Sequence, residues 1–327
     1  MAFRHCGIRL CAWLALDLAS GFFAIAQTTG SVVDAGHEAP TPVVVAPRQM
    51  VTFFIHGFGS DVAGPIWANS SALPTSLGGI SAGYGVTGGN DFELPLSLLA
   101  VQSINPCFDA TQPGCKPYLA VTAQIPYNIN AQNPATMTGV PPTFGQIRFR
   151  ENGSTVAALD VIPLVDATHV LRTCDLLFTS PTAQCAPVVT HSSGKLVNSS
   201  APAKAGETIT VWAVGLGALQ ESLPTPTGQP SPAASATVFP FTVRFDVNQA
   251  GSDTALVMLG AVSFSGSTPG SVGLYQINVA VPSFASLAPC ANAVPSITGF
   301  FGMASSNTNV TIRGPSSTDS FDLCLQP

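Results

Sequence analysis

The chain predicts an all-β fold of two tandem sandwiches, and three observations carry that reading. A motif returns: Ala46–Gly59 aligns with Ala203–Gly217 once one gap is allowed, each a β-rich run closed by Gly57-Phe58-Gly59 or Gly215-Leu216-Gly217. A second echo, Val121–Pro126 and Ile277–Pro282, follows each copy at nearly the same offset, as one module used twice would give. Strand-period alternation dominates between Pro- and Gly-rich turns, and outside the N-terminus only Leu94–Val101 offers a plausible helical face, with Pro95 at its start. Many short strands punctuated by such turns argue for sandwiches rather than an α/β fold.

Residues 1–26 read as a signal peptide. Arg4 and Arg9 give a positive start, Leu10 to Ala26 is apolar apart from Asp17 and Ser20, and Ala24-Ile25-Ala26 makes a small-x-small cleavage site. A membrane anchor is the alternative, disfavoured because the apolar stretch is shorter than the ~20 residues that a span needs; Pro and Gly interrupt every later candidate, so no span is expected once the signal is removed. Residues 27–45 are polar and Pro-containing, expected as a flexible N-terminal segment. The first domain is placed at 46–172, a junction at 173–202, and the second domain at 203–327.

Within this frame the strand signals are local. Val243, Phe245 and Val247 share one face of Thr242–Val247, and Ile277, Val279 and Val281 alternate likewise. Ile147–Arg150 and Val156–Ile162 flank Glu151-Asn152-Gly153-Ser154, and Asn-Gly between alternating runs is the strongest short hairpin signal. Segments 61–90 and 223–236, rich in Pro, Gly, Ser and Thr, are expected as long loops.

Composition narrows the chemistry. Charged residues make up 9% of the chain, against ~25% in ordinary globular domains. Loss of residues 1–26 leaves 9 basic and 16 acidic residues of the original 11 and 17. No basic patch is visible, which argues against nucleic acid as a partner. Six cysteines remain after the signal, Cys107, Cys115, Cys174, Cys185, Cys290 and Cys324. An even number in an exported chain reads as disulfides, and six cysteines allow fifteen pairings; the neighbour scheme 107–115, 174–185 and 290–324 is favoured. The spacing lacks paired C-x-x-C, so zinc is disfavoured.

The second module resembles an uncharacterised C-terminal domain family first noted in Solibacter-type soil bacteria, in the style of IPT/TIG immunoglobulin-like modules. The matching residues are Ala205–Val211 with Gly215-Leu216-Gly217, Pro224-Thr225-Pro226, Pro269–Pro282 with the specific run Gly273-Leu274-Tyr275-Gln276-Ile277-Asn278-Val279, and Ser305-Ser306-Asn307 before Val310-Thr311-Ile312. The first module reads as a diverged copy, with Leu77–Ser81 and Ala123–Tyr127 as the equivalent segments. The resemblance covers most of 46–327 and implies an exported β-sandwich protein with no known catalytic residues; no phosphate loop or dinucleotide fingerprint is present, so no cofactor is expected.

An enzyme can still be drawn. Gly79-Ile80-Ser81-Ala82-Gly83 matches the G-x-S-x-G nucleophile elbow, Phe53–Gly59 reads like an oxyanion loop, and Asp160, Asp166, His169 and His191 follow in Ser…Asp…His order. A secreted serine esterase would use Ser81 as nucleophile, His169 or His191 as base and Asp160 as orienter. Against it, residues 84–93 cannot start a stable helix, and about twenty residues between the His56 loop and the elbow are too few for a βαβ unit of ~30. Metal binding by His37, His56, His169 and His191, or Ca²⁺ at Asp91 with Glu93 or Asp319 with Asp322, is weaker still, because these groups also suit solvated turns. A carbohydrate-binding module would need an exposed aromatic row, for which Trp67, Tyr84 and Trp212 are the candidates. The leading expectation is an exported, non-catalytic structural or adhesive protein of the cell surface or extracellular matrix. Its partner would be an extracellular polysaccharide or a surface protein.

Overall fold

The computed structural model describes residues 31–34, 37–40, 43–56, 62–86, 93–104, 118–136, 143–173, 175, 185–252, 254–292 and 305–326. The signal segment 1–26, Gly57-Phe58-Gly59, Asp91, Cys107, Cys115 and Cys174 lie outside them. Among the described residues there is no α-helix, and one 3₁₀ turn occurs at Pro134–Thr136.

The N-terminal strands are β1 (Ser31–Asp34), β2 (His37–Pro40), β3 (Val43–Val45), β4 (Met50–His56), β5 (Ile66–Trp67), β6 (Ser76–Leu77), β7 (Ile80–Val86), β8 (Leu94–Pro95), β9 (Ser97–Ile104), β10 (Tyr118–Gln124), β11 (Gly145–Glu151) and β12 (Ser154–Pro163). They form two sheets, in the orders β2-β1-β4-β10-β9-β5 and β3-β12-β11-β7-β6, with β8 added to β7. Alternation decides which face is inside. Val51, Phe53 and Ile55 of β4 and Leu119, Val121 and Ala123 of β10 meet Ile80 and Ala82 of β7, Ile147 and Phe149 of β11, and Leu159 and Val161 of β12 in one buried cluster. Phe53 and Phe149, one from each sheet, pack edge to face with centroids 5.2 Å apart.

The remaining strands are β13 (His169–Val170), β14 (Val189–Thr190), β15 (Ala203–Lys204), β16 (Thr208–Val214), β17 (Thr242–Val247), β18 (Leu256–Ser267), β19 (Tyr275–Ala280), β20 (Ala291–Asn292), β21 (Ser305–Ser306), β22 (Thr308–Arg313), β23 (Thr318–Leu323) and β24 (Leu325–Gln326). A second cluster forms between Ile209, Val211, Tyr275, Ile277 and Val279 on one side and Val243, Phe245, Val310, Ile312 and Phe321 on the other. Strand β18 serves both layers. Its residues 256–260 pair with β17 and its residues 261–267 pair with β19.

The sequence echoes occupy the same places in both halves, with the same register. Phe53 pairs with Val121 and Thr52 with Thr122; Val211 pairs with Ile277 and Thr210 with Asn278. The polar pair on each ladder is bridged, Thr52 to Thr122 at 2.9 Å and Thr210 to Asn278 at 3.1 Å. The next strand carries a bulge at the same level in each half, opposite Thr122/Ala123 and opposite Asn278/Val279. The layer-crossing of β18 has its counterpart in β8, which pairs with β7, and β9, which pairs with β10. The antiparallel pairs β7–β11 and β11–β12 correspond to β17–β22 and β22–β23. Even the short parallel entry strands agree: Val45 lies beside Pro163, and Ala203 beside Leu325.

Several expectations are corrected. Residues 27–45 are not loose throughout, because β1, β2 and β3 fall there, and β3 pairs with β12. Leu94–Val101, the one stretch with a plausible helical face, is occupied by β8 and the start of β9, and Leu96 and Leu98 are both buried where the chain crosses between sheets. The segment 61–90 contains β7, whose glycines mask an alternation in which Ile80, Ala82 and Tyr84 point into the core. Val170, and Val189 and Val197 of the expected junction 173–202, pack in the second cluster. Cys290 and Cys324 are joined by a disulfide with Cα atoms 5.6 Å apart, and Cys185 is also disulfide-bonded.

Candidate functional site

The most constrained polar site lies where the two halves meet, and a single turn builds it. Before β4, Arg48 N donates to Ile125 O at 3.1 Å and Ile125 N to Gln49 O at 2.8 Å; before β16, Gly206 N donates to Val281 O at 2.9 Å and Val281 N to Glu207 O at 2.8 Å. The two turns are equivalent, and each needs a left-handed residue. The second half uses Gly206 at φ 78°, whereas the first uses Arg48 at φ 66°. A non-glycine residue in that region costs roughly 1–3 kcal/mol, which the surroundings must offset.

The Arg48 side chain supplies the offset. Its guanidinium reaches Glu221 of the second half at 2.8 Å, and the two side chains are only 7% and 11% exposed. It also lies over the Tyr127 ring, 5.4 Å from the centroid. Glu221 is held in turn by Thr225, whose N and Oγ1 donate to it at 2.7 and 3.0 Å. The adjoining loop continues the contact. Gly228 N donates to Gln124 Oε1 at 2.6 Å, Leu73 N to Gly228 O at 2.8 Å, and Tyr127 N to Thr227 Oγ1 at 3.2 Å. The segment 223–236, expected as a long loop, therefore meets the first half through Thr227 and Gly228, while Thr225 and Ser231, also buried, bond Glu221 and Ser271 of the second half. Nearby, Gly215 and Gly217 adopt φ 74° and 86°, and a Cβ on either would strike the carbonyl of Ala167 or Val165. Tyr275 donates its hydroxyl to Gly217 O at 2.5 Å, and its burial pushes the phenol far above the ordinary range.

Among the described side chains, His169, His191, Asp160, Asp166, Asp319, Asp322 and Glu93 are engaged with the fold. His169 Nε2 faces Asp175 at 3.1 Å and Nδ1 faces Asp319 at 3.5 Å, while Asp319 also accepts from Val170 N at 2.7 Å. Asp166 accepts from Ser316 N at 2.7 Å, Ser317 N at 3.1 Å and the Ser317 hydroxyl, tying the chain after β12 to the β22–β23 turn. His191 Nδ1 meets Glu207 at 2.5 Å and its Nε2 meets Ala201 O at 3.1 Å. That dyad floors an open, polar depression with Lys195, Lys204, Ser192 and Ser200 on its walls. With Nε2 on a backbone carbonyl, the ring has no nitrogen free to take a proton from a serine. Ser81 stands inside β7, opposite Ser76 and Arg150, and not on a strand-to-helix turn. Asp160 accepts from Gln146 at 3.2 Å.

Glu93 is claimed by Arg148 at 3.0 Å and Arg150 at 2.5 Å. Burial works against its carboxylate, but the two guanidinium partners outweigh this and hold it below the ordinary value. Asp322 accepts from Asn309 at 3.1 Å. His37 and His56 belong to β2 and β4. Among the described residues no three His, Cys, Asp or Glu side chains are placed to share a metal ion. The aromatic candidates do not make a row: Tyr84 is buried, Trp212 donates to Thr190 at 3.1 Å, and Trp67 is exposed on the short strand β5. Sequence reasoning missed Arg48 and Glu221. The signal was present in the repeat, where an arginine stands in the turn for which the other copy supplies glycine.

No family model matches the chain, and no curated protein matches it. Among solved structures it is similar to the Streptococcus agalactiae AgI/II polypeptide BspA C-terminal domain, at 9% identity over 91% of this chain and 99% of that one, with a TM-score of 0.15. A likeness at that level carries no argument about fold or role. Among the described residues no helix is long and apolar enough to cross a membrane.

Proposed function

We propose that the chain is an exported, non-catalytic structural or adhesive protein, built of two immunoglobulin-like sandwiches locked into one unit. The observation that carries the reading is the repeated strand frame joined by a buried ion pair. Each half has its entry strand parallel to its last long strand or that strand's continuation, a three-strand layer and a facing hairpin layer, and Arg48–Glu221 fixes one half on the other. The immunoglobulin-like assignment rests on that strand order. Kinship with the Solibacter-type family rests on the Gly273–Val279 run, which enters β19 and buries Tyr275. An oxidising, extracellular setting is supported by the Cys290–Cys324 bridge. Extracellular polysaccharide or a surface protein is the partner class that suits a weakly charged, Ser- and Thr-rich exterior.

A glycan and protein array with the purified mature chain, run beside an ester- and peptide-hydrolysis panel, tests the reading. Saturable binding without turnover is the expected result. Turnover that disappears in Ser81→Ala would replace it with the esterase reading.

A further inference from the structure

We propose that the outer edge of β18, residues Leu256–Gly260, pairs antiparallel with the same edge of a second copy of this chain, centred on Met258. The proposal stands on the edge itself and holds whether or not the protein binds a polysaccharide.

Three observations lead to it. First, the edge is bare. Residues 256–260 pair with β17 on one side, and among the described residues no backbone group bonds the other side. Farther along the strand both sides are used: residues 261–267 pair with β19 on the side that is bare at 256–260, and on the other side Thr237 N donates to Ser265 O at 2.8 Å and Ser267 N to Ser235 O at 2.9 Å. The pairing with β19 begins only at Ala261. Second, the edge is apolar. Val257 is 55% exposed and Leu259 74% exposed, and no charged residue occurs from 254 to 267. Native sheets protect an edge with proline, lysine, a bulge or a short strand. Third, the equivalent edge of the first half has that protection, because β8 is two residues long and ends in Pro95, which has no N–H to offer.

The occupant follows from charge and register. On the outer face Val257 stands beside Asp246, and Leu259 beside Arg244. A two-fold axis through Met258 sets Val257 against Leu259 of the second copy. Each row across the joint then reads Asp246, Val257, Leu259 and Arg244; only uncharged side chains meet at the joint, and Arg244 and Asp246 are already paired within each copy at 2.8 Å. The second row is its mirror, so the contact uses the same residues on both copies and closes at two. A charged foreign strand would set an unpaired charge against Val257 and Leu259. Main-chain bonds supply the pairing and the two apolar side chains the register.

Sedimentation of the mature protein from about 1 µM to about 1 mM, the range of weak association, is the test. A monomer–dimer equilibrium is expected, with amide exchange at 256–260 slowing as the dimer forms. Leu259→Lys should weaken the dimer at least tenfold, and Leu223→Lys, at an 84% exposed leucine away from the edge, should leave it intact. A monomer throughout, a dimer indifferent to Leu259→Lys, or equal loss in both variants would overturn the proposal. The exchange data decide the matter if Leu259→Lys fails to fold.

Discussion

Replacing Arg48 by glycine separates what the residue costs from what it contributes. The backbone at φ 66° is where glycine is at ease, so Arg48→Gly returns the strain, about 1 kcal/mol. Against that, it strips a buried carboxylate of its partner. Removing one member of such a pair costs about 3–5 kcal/mol, and the contact with the Tyr127 ring adds about 0.5–1 kcal/mol. The net expectation is a loss of about 2.5–5 kcal/mol, most of it at the joint between the halves rather than inside either core. Arg48→Ala keeps the strain and loses the same contacts, so it should fall about 1 kcal/mol below the glycine variant. Urea unfolding followed in two single-tryptophan backgrounds, Trp67 for the first half and Trp212 for the second, reads both quantities. The wild type should give coincident transitions, and the variants should split them. Glu221→Gln in the same background completes a cycle whose coupling should account for most of the loss. An Arg48→Gly protein as stable as the parent, with its transitions still coincident, would refute the reasoning.

Two further outcomes are expected. Cys290→Ser opens a bridge spanning 34 residues, worth about 3–4 kcal/mol in the chain-entropy account, and thermal melts with and without reductant should show the same drop. Glu93→Gln removes a carboxylate whose pKa is held below its ordinary 4.5. A depressed folded pKa contributes stability above the unfolded value that is lost as pH falls through the folded one. The variant should therefore be less stable at pH 7, by about 1 kcal/mol for a partly exposed pair, and the gap should close in acid; a gap that persists there would point to packing instead.

Much of the frame was legible because its signal is local. Phe53/Ile55 and Ile277/Val279 alternate, so their strands and inward faces could be read directly. Asn152-Gly153 announced a hairpin, and both residues take the positive φ that such a turn requires. What failed to show was non-local. The buried role of 223–236 comes from backbone groups and from Thr225 and Gly228, which look like any solvated loop. Leu94–Val101 mimics a helix because a strand that changes layers buries successive residues on opposite sides. The histidines drew notice as chemistry, yet their partners Asp175, Asp319 and Glu207 act on them across turns and strands that no spacing rule links. Arg48 stands inside the Ala46–Gly59 repeat, but a dihedral angle leaves no mark on composition.

The parallel entry strands also have a mechanical consequence. β15 brings the chain into the second half and β24 takes it out beside it, pointing the same way, with Ala203 N bonded to Cys324 O and Ala205 N to Gln326 O. A pull on the two ends slides one strand along the other, so the bonds between them are loaded together in shear rather than peeled one at a time. Tension along the second half would thus meet its firmest resistance at β15 and β24, before the interior feels the strain.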